Sequence, residues 1–549
     1  MKKIIFILGL AAVVLGTSCS DVLDLNPADR FSPATVWATT ADKYVIGLYS
    51  IFGANTEMRG GDAYASPRLS DAYSDILKST SWNQYNHNFN ATLLQETAFN
   101  SNSAGAFECW SSHYDRIRRE NEFLRDAAEF GSKFGEDWLK IRIAEVRFCR
   151  AYAYFMLCRV YGGVILRTEV DGPEQNDKAR STEEECWGFI INELKELAPD
   201  LPLKWDSDNS GRATQKAAYG LLSRVALYAE KWDVAAQAAR DCATAEGNLD
   251  LSENGYAKIF ELGINSPEVL FAVEFKSSVI DHAYDAYVRP SGDTKELGKQ
   301  VYSGFVPTSE LVDSYEMAGD GGNFSWEKHG KDPYANREPR FYATILYNGA
   351  DWMGRKIESF VGGKDGYKAY ENAGAAGTTV TGYYLRKYLI DGDKTWVTSG
   401  SGQDWIVLRY AEVLLNKAEA LAMENWNKNS AEALQALNDV RARVGLPARA
   451  TADKETFLEY VRHERKVELA GEGFRYWDLR RWRLAEKVID GQNVHGVKIS
   501  KQSDGSFTYE QVDADGGHKR IFYDRYYRFA IPLSERSNNS LCTNNDGWI

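Results

Sequence analysis

Cysteine is scarce for a chain of 549 residues: beyond Cys19 there are only Cys109, Cys149, Cys158, Cys186, Cys242 and Cys542. They form no CxxC and keep no regular spacing, and four fall within helical patterns. They read as small core hydrophobes, and a disulfide framework is not expected. Histidine is equally sparse, with seven scattered residues. There is no GxSxG, no HExxH, no phosphate-binding loop and no dinucleotide fingerprint. Basic charge is lacking too: 65 Lys and Arg face 78 Asp and Glu, for a formal charge of −13. That balance argues against nucleic acid, whose phosphates demand a basic face. Past residue 18 no uncharged apolar run approaches the ~20 residues of a membrane-spanning helix.

What the chain does have begins at its first residue. Lys2 and Lys3 precede an apolar stretch from Ile4 to Leu15, and Gly16, Thr17 and Ser18 lead into Cys19. Residues 1–18 read as an export signal, too short to stay in the bilayer as a helix. A small residue directly before a cysteine also marks a lipoprotein, so Cys19 is the expected site of acylation and the new N-terminus. Gly16 stands where that pattern prefers Leu. The remainder is long enough for a large core and two subdomains. It is rich in aromatics, with 15 Trp, 31 Tyr and 24 Phe. Rings in such number supply a core and leave material for amphipathic binding platforms.

Four stretches carry helical periodicity. DWLKIRIAEVRFCRAYAYFMLCRVYGG gives one helix ended by Gly162 and Gly163. GRATQKAAYGLLSRVALYAEKWDVAAQAARDCA gives two, Ala217 to Ala229 and Trp232 to Ala243, with a turn at Glu230 and Lys231. Their small residues permit close approach, in the manner of a tetratricopeptide hairpin. DWIVLRYAEVLLNKAEALAME and NSAEALQALNDVRARVGLP read as another pair, and ETFLEYVRHERKVELAGEGFRYWDLRRW as a helix-turn-helix cornered at Gly471 and Gly473. From about 247 to 403 the composition shifts to Gly, Tyr, Trp, Asp and Asn, with short strand-like runs (EVLFAVEF, GYYLRKYLI) and long loops. Residues 55–105 are similar. A helical scaffold carrying loop-rich insertions places function in the loops. The expected division is residues 1–18, 19–246, 247–403 and 404–549.

Six blocks in series, EVRFCRAYAYFMLCRVYGGVIL, GRATQKAAYGLLSRVALYAEKWDVAA, LRYAEVLLNKAEAL, LNDVRARVGLP, RHERKVELAGEGFRYWDLRRW and YRFAIPLSERSNNSLCTNNDGWI, resemble the SusD/RagB family of outer-membrane lipoproteins. The resemblance implies a mainly α fold of four tetratricopeptide-like helix pairs with a loop-rich mixed second region. It implies a surface lipoprotein anchored through Cys19 that sits as a lid on a SusC-like TonB-dependent transporter and captures nutrients, usually glycan fragments, for import. No cofactor is implied. Cys149, Cys542 and Gly471 depart from the family's usual residues without touching the expected ligand loops.

In the family the ligand is met by an early loop and by mid-chain loops. Here those are SDILKSTSWNQYNHN, with Trp82, Asn83 and Tyr85, and the segments bearing Tyr302, Phe324, Trp326 and Trp352. Trp82 and Trp326 lead, because polar or glycine-rich neighbours disfavour burial, and Arg68 and Asp71 are the nearest charged candidates for sugar hydroxyls. Trp477 and Trp482 read as packing, with Arg475, Asp478 and Arg480 in salt bridges inside the helical stack. DSDNSG at 206–211 resembles half of a calcium loop, but position twelve is Ala217, so a capped turn is expected and no metal. A non-catalytic binding protein is the leading reading. A surface glycoside hydrolase stays open, because its two carboxylates need only a spatial distance that sequence does not reveal. A gating subunit with little affinity of its own and a peptide binder stay open as well.

Overall fold

A computed structural model describes residues 33–54, 69–80, 99–172, 177–369 and 378–548. The long helices are α1 (Pro33–Leu48), α2 (Trp110–Phe130), α3 (Glu136–Tyr161), α4 (Glu183–Leu197), α5 (Gln215–Tyr228), α6 (Trp232–Thr244), α7 (Tyr410–Arg443) and α8 (Lys454–Glu468), followed by the short α9 (Arg475–Arg481). From α1 to α8 each packs on the next, and α6 packs on α7 although about 165 residues separate them. Inside α7 the backbone opens at Asn425 (φ −165°, ψ 93°), which divides it into two helices. Four successive pairs result, α1 with α2, α3 with α4, α5 with α6, and the two halves of α7, as the resemblance implied.

The local signals explain these boundaries. α3 stops at Gly162, where φ is +75°. α4 begins with a capping box in which Thr182 and Glu185 each satisfy the other's backbone N–H. α5 is capped by Thr214. A side chain at Gly220 would meet Leu270 at 2.9 Å and Val413 at 3.6 Å, so the bare glycine is what lets α5 lie against both neighbours. Asp206 accepts a hydrogen bond from the N–H of Asn209 (3.0 Å), the capped turn expected of DSDNSG.

Two stretches differ from expectation. Trp405–Arg409, read as the start of a helix, is a strand buried at every position, paired antiparallel with Val269–Val273. GYYLRKYLI contributes only Tyr384–Leu385 to a ladder with Ile345–Leu346. The region between α6 and α7 is otherwise short helices, turns and two-stranded ladders.

Arginines buried with carboxylates tie the layers together. Arg409 reaches Glu472 (2.7 Å), Glu468 (2.7 Å) and Glu268 (2.9 Å), while Arg443 and Arg340 share Glu468. The FRYWDLRRW segment behaves as a packing motif: Trp477 is buried, Asp478 pairs with Arg465 and Arg481 (2.8 Å each), and Arg475 pairs with Asp75 (2.8 Å). Arg480 departs from the expected salt bridge. It donates to the carbonyl of Tyr527 (2.9 Å) and lies over the rings of Trp477 and Phe529.

Candidate ligand-binding face

The expected ligand residues come from distant parts of the chain, so the question is what brings them together. Strand Leu77–Ser79 pairs antiparallel with Phe305–Pro307. The N–H of Thr80 continues the ladder to the carbonyl of Gly304 (3.0 Å), and the Thr308 hydroxyl donates to the carbonyl of Asp75 (2.6 Å). Thr80, the last described residue of this segment, therefore lies beside Gly304, two positions from Tyr302. Trp82, Asn83, Tyr85 and Arg68, like Cys19, lie outside the described residues.

Tyr302 is partly exposed, with its ring 4.9 Å from that of Tyr287 and its N–H on the carbonyl of Ala286 (2.8 Å). The next residue, Ser303, is buried in the left-handed region at φ 47°, with its hydroxyl on the carbonyl of Arg289 (3.0 Å). A strained non-glycine residue beside a partly exposed ring is a feature that clusters at ligand sites. The strand leading in is itself pinned. Lys78, wholly buried, pairs with Asp515 (3.0 Å), which also holds Arg520 (2.9 Å). Burial alone would raise the Asp515 carboxyl, but Arg520 and Lys78 hold it well below the usual carboxylate range.

Three expected contacts are not available to a ligand in this arrangement. Asp71 is fully buried and accepts from the N–H groups of Gly471 (2.9 Å), Gly473 (3.2 Å) and Arg475 (2.9 Å). Burial pushes its carboxyl up to about 6 against those hydrogen bonds. It shapes the corner before α9, where both glycines have positive φ. Trp352 is also fully buried, its indole N–H on Asp293 (3.0 Å) and its face against Arg289 (5.2 Å). Phe324 is nearly buried, and Arg337 covers its ring at 4.2 Å. Trp326 does keep an exposed part. Its indole N–H is on Asp313 (3.0 Å), and its ring lies 5.9 Å from Tyr509. Burial raises the Asp313 carboxyl to about 6.

Tyr287 and Tyr509, whose rings pack on Tyr302 and Trp326, were not among the expected residues; Tyr287 lies in a short helix, Tyr284–Val288, and Tyr509 in a strand, Phe507–Asp513. Among the described residues no group of three or more His, Cys, Asp or Glu is placed to hold a metal, and no helix is long and apolar enough to cross a membrane.

Comparison with known proteins identifies the family. Residues 267–548 match the family model described as "SusD family", and residues 38–227 match one described as "Starch-binding associating with outer membrane". A SusD-like protein of Bacteroides ovatus is 25% identical, covering 94% of this chain and 90% of its own. SusD-like protein P38 of Formosa agariphila is 25% identical, over 89% and 94%. Among solved structures, a SusD-like protein from Bacteroides fragilis aligns with TM-score 0.80 at 27% identity, covering 94% of this chain and 98% of that one. A structure named as a laminarin-binding SusD-like protein aligns with TM-score 0.66 at 22% identity, over 92% and 99%, a likeness of fold.

Proposed function

The chain belongs to the SusD family, and from that premise we propose that it is a lipoprotein of the outer membrane, anchored through Cys19 and exposed at the surface. It binds an extracellular oligosaccharide without cleaving it and passes the ligand to a SusC-like TonB-dependent transporter. The family model described as starch-binding and outer-membrane-associated supports the glycan and the membrane, and the neighbour named for laminarin supports a glucan as the first class to test.

The observation that supports the reading is the ladder between residues 77–80 and 304–307, which brings Thr80, two positions before Trp82 in the chain, to Gly304, two positions after Tyr302. In this reading Tyr302, Trp82 and Tyr85 stack on sugar faces while Asn83 and Arg68 serve hydroxyls. Capture is an equilibrium, and the site closes when the lid meets its transporter.

The test is retention of the soluble chain, starting after Cys19, on starch, laminarin and a panel of plant, host and microbial polysaccharides. Trp82→Ala and Tyr302→Ala run alongside, and released products are assayed in the same tubes. Binding to one polymer, reduced in either variant and without products, supports the reading. Product release makes the chain a hydrolase, and silence across the panel favours a gating subunit or a peptide ligand.

A further inference from the structure

Trp326 is one end of a run of rings that continues well beyond the expected ligand residues. Its ring lies 5.9 Å from Tyr509, Tyr509 lies 5.8 Å from Tyr334, Tyr334 lies 4.6 Å from Tyr347, and Tyr347 lies 6.0 Å from Tyr342. Trp326, Tyr509, Tyr347 and Tyr342 each keep an exposed part, and Tyr334 lies buried among them. Tyr342 then forms one wall of a pocket of about 370 Å³, between the short helices Gly255–Leu262 and Pro339–Thr344. Phe260 and Pro339 supply apolar wall, and Lys258 and Arg386 supply cations. Arg386 gives one hydrogen bond, to the carbonyl of Tyr342 (3.2 Å), and Lys258 makes no ion pair among the described residues. Both therefore have donors to spare. Asn254 (φ 57°) and Tyr388 (φ 67°), also in the pocket wall, hold left-handed conformations that cost a non-glycine residue energy.

We propose that this run of rings and the pocket at its end are a second glycan-contact surface, which takes an extended oligosaccharide chain and seats one sugar residue in the pocket. The inference rests on the glycan-binding reading above and adds a site to it. Partly exposed rings offer apolar surface to sugars, and hydrogen bonds to Asp313 and to the carbonyl of Tyr334 hold the Trp326 indole and the Tyr342 hydroxyl in place. Trp326 and Tyr509, and again Tyr347 and Tyr342, stand about one pyranose length apart, while the buried Tyr334 links the two pairs. The pocket volume falls in the range of small-ligand sites, and its cations donate to sugar oxygens. Successive ring planes turn by 34° to 85°. That surface suits a chain that twists in solution and not the flat face of a crystalline polymer.

The test uses the soluble chain with Tyr347→Ala, Tyr509→Ala and Lys258→Ala, titrated calorimetrically with starch, laminarin, and their disaccharides and heptasaccharides. Lys258 is a surface substitution that keeps the test alive if truncating a ring disturbs folding, which thermal melts check. Loss of a stacked ring is worth about tenfold. The expected result is weakening of about that size for polymer and heptasaccharide, with disaccharide binding unchanged. Polymer binding within twofold of the parent in all three variants overturns the track while leaving the glycan reading intact. Equal loss of disaccharide binding also overturns it, because the rings would then belong to the primary site. If the parent chain binds neither glucan, the same titrations use the polymer retained in the panel above and its oligosaccharides, and silence across that whole panel fails the glycan reading and the track with it.

Discussion

Glu120, on the buried face of α2, is wholly inaccessible, and neither of its carboxylate oxygens has a hydrogen-bond partner among the described residues. Burial raises its carboxyl to about 8, with Arg150 and Arg116 opposing. The Arg150 guanidinium is itself spent on Glu193 (2.6 Å) and Asn121 (2.8 Å), which leaves Glu120 a neutral acid at neutral pH. Unfolded, the same group ionises near its ordinary 4.5. Between those values the unfolded chain has released a proton that the folded chain keeps, so stability falls as pH rises. At 1.36 kcal/mol per unit, the ceiling is about 3 kcal/mol at pH 7. Glu120→Gln keeps the shape and removes the titration. In matched urea titrations at pH 5, 6, 7 and 8, the variant should gain on the parent with each step and level off above pH 8. A difference that stays constant across the series would refute the reasoning, because it would mean that Glu120 is ionised in the folded protein or solvated in it.

Other outcomes follow from the same contacts. Glu468→Ala strands Arg409, Arg443 and Arg340 without a shared buried partner, and chemical denaturation should show a loss of about 3 to 5 kcal/mol. Asp71→Ala orphans three backbone N–H groups at the corner before α9, and the same assay should show a loss on the order of 3 kcal/mol, with polysaccharide affinity unchanged in the protein that remains folded. Trp352→Phe should lower stability by about 1 kcal/mol through the lost bond to Asp293 and leave polysaccharide retention at parent level, whereas Tyr302→Ala should weaken retention about tenfold. Cys19→Ala should abolish incorporation of labelled fatty acid and move the full-length chain from the membrane to the soluble fraction of expressing cells.

The helical scaffold was legible because its signals are local. α3, α5 and α6 show apolar and small residues at helical spacing, and their ends are marked by Gly162, by Thr214 and by a turn whose Glu230 adopts φ 56°. Trp405–Arg409 was not legible for the same reason: five residues buried on both faces carry neither a period of 3.6 nor one of 2, so they merged with the helix that follows. The exposure of the expected ligand residues is set by partners remote in sequence. Asp71 is claimed by N–H groups about 400 positions away and Trp352 by Asp293, 59 positions away. Polar or glycine-rich neighbours kept Trp326 partly exposed but did not keep Phe324 so, because Arg337 lies over that ring.

The residues that hold the 71–80 segment in place are charged where an apolar contact would have served stability as well. Asp71, Asp75 and Lys78 lie within eight positions of one another, and each reaches into the last eighty residues: Asp71 to the corner before α9, Asp75 to Arg475, and Lys78 to Asp515. Buried ion pairs contribute little net stability compared with apolar packing, but a mismatched one is costly. Three directional contacts in one short segment therefore fix its register against the scaffold more sharply than interchangeable apolar side chains could. The strand that follows, Leu77–Ser79, pairs over only three residues, too few to set its own register by pattern. On the proposed function, specificity would be altered by changing the residues after position 80 while residues 77–80 stay fixed, and a fixed root would reduce the ordering cost that a ligand must offset on binding.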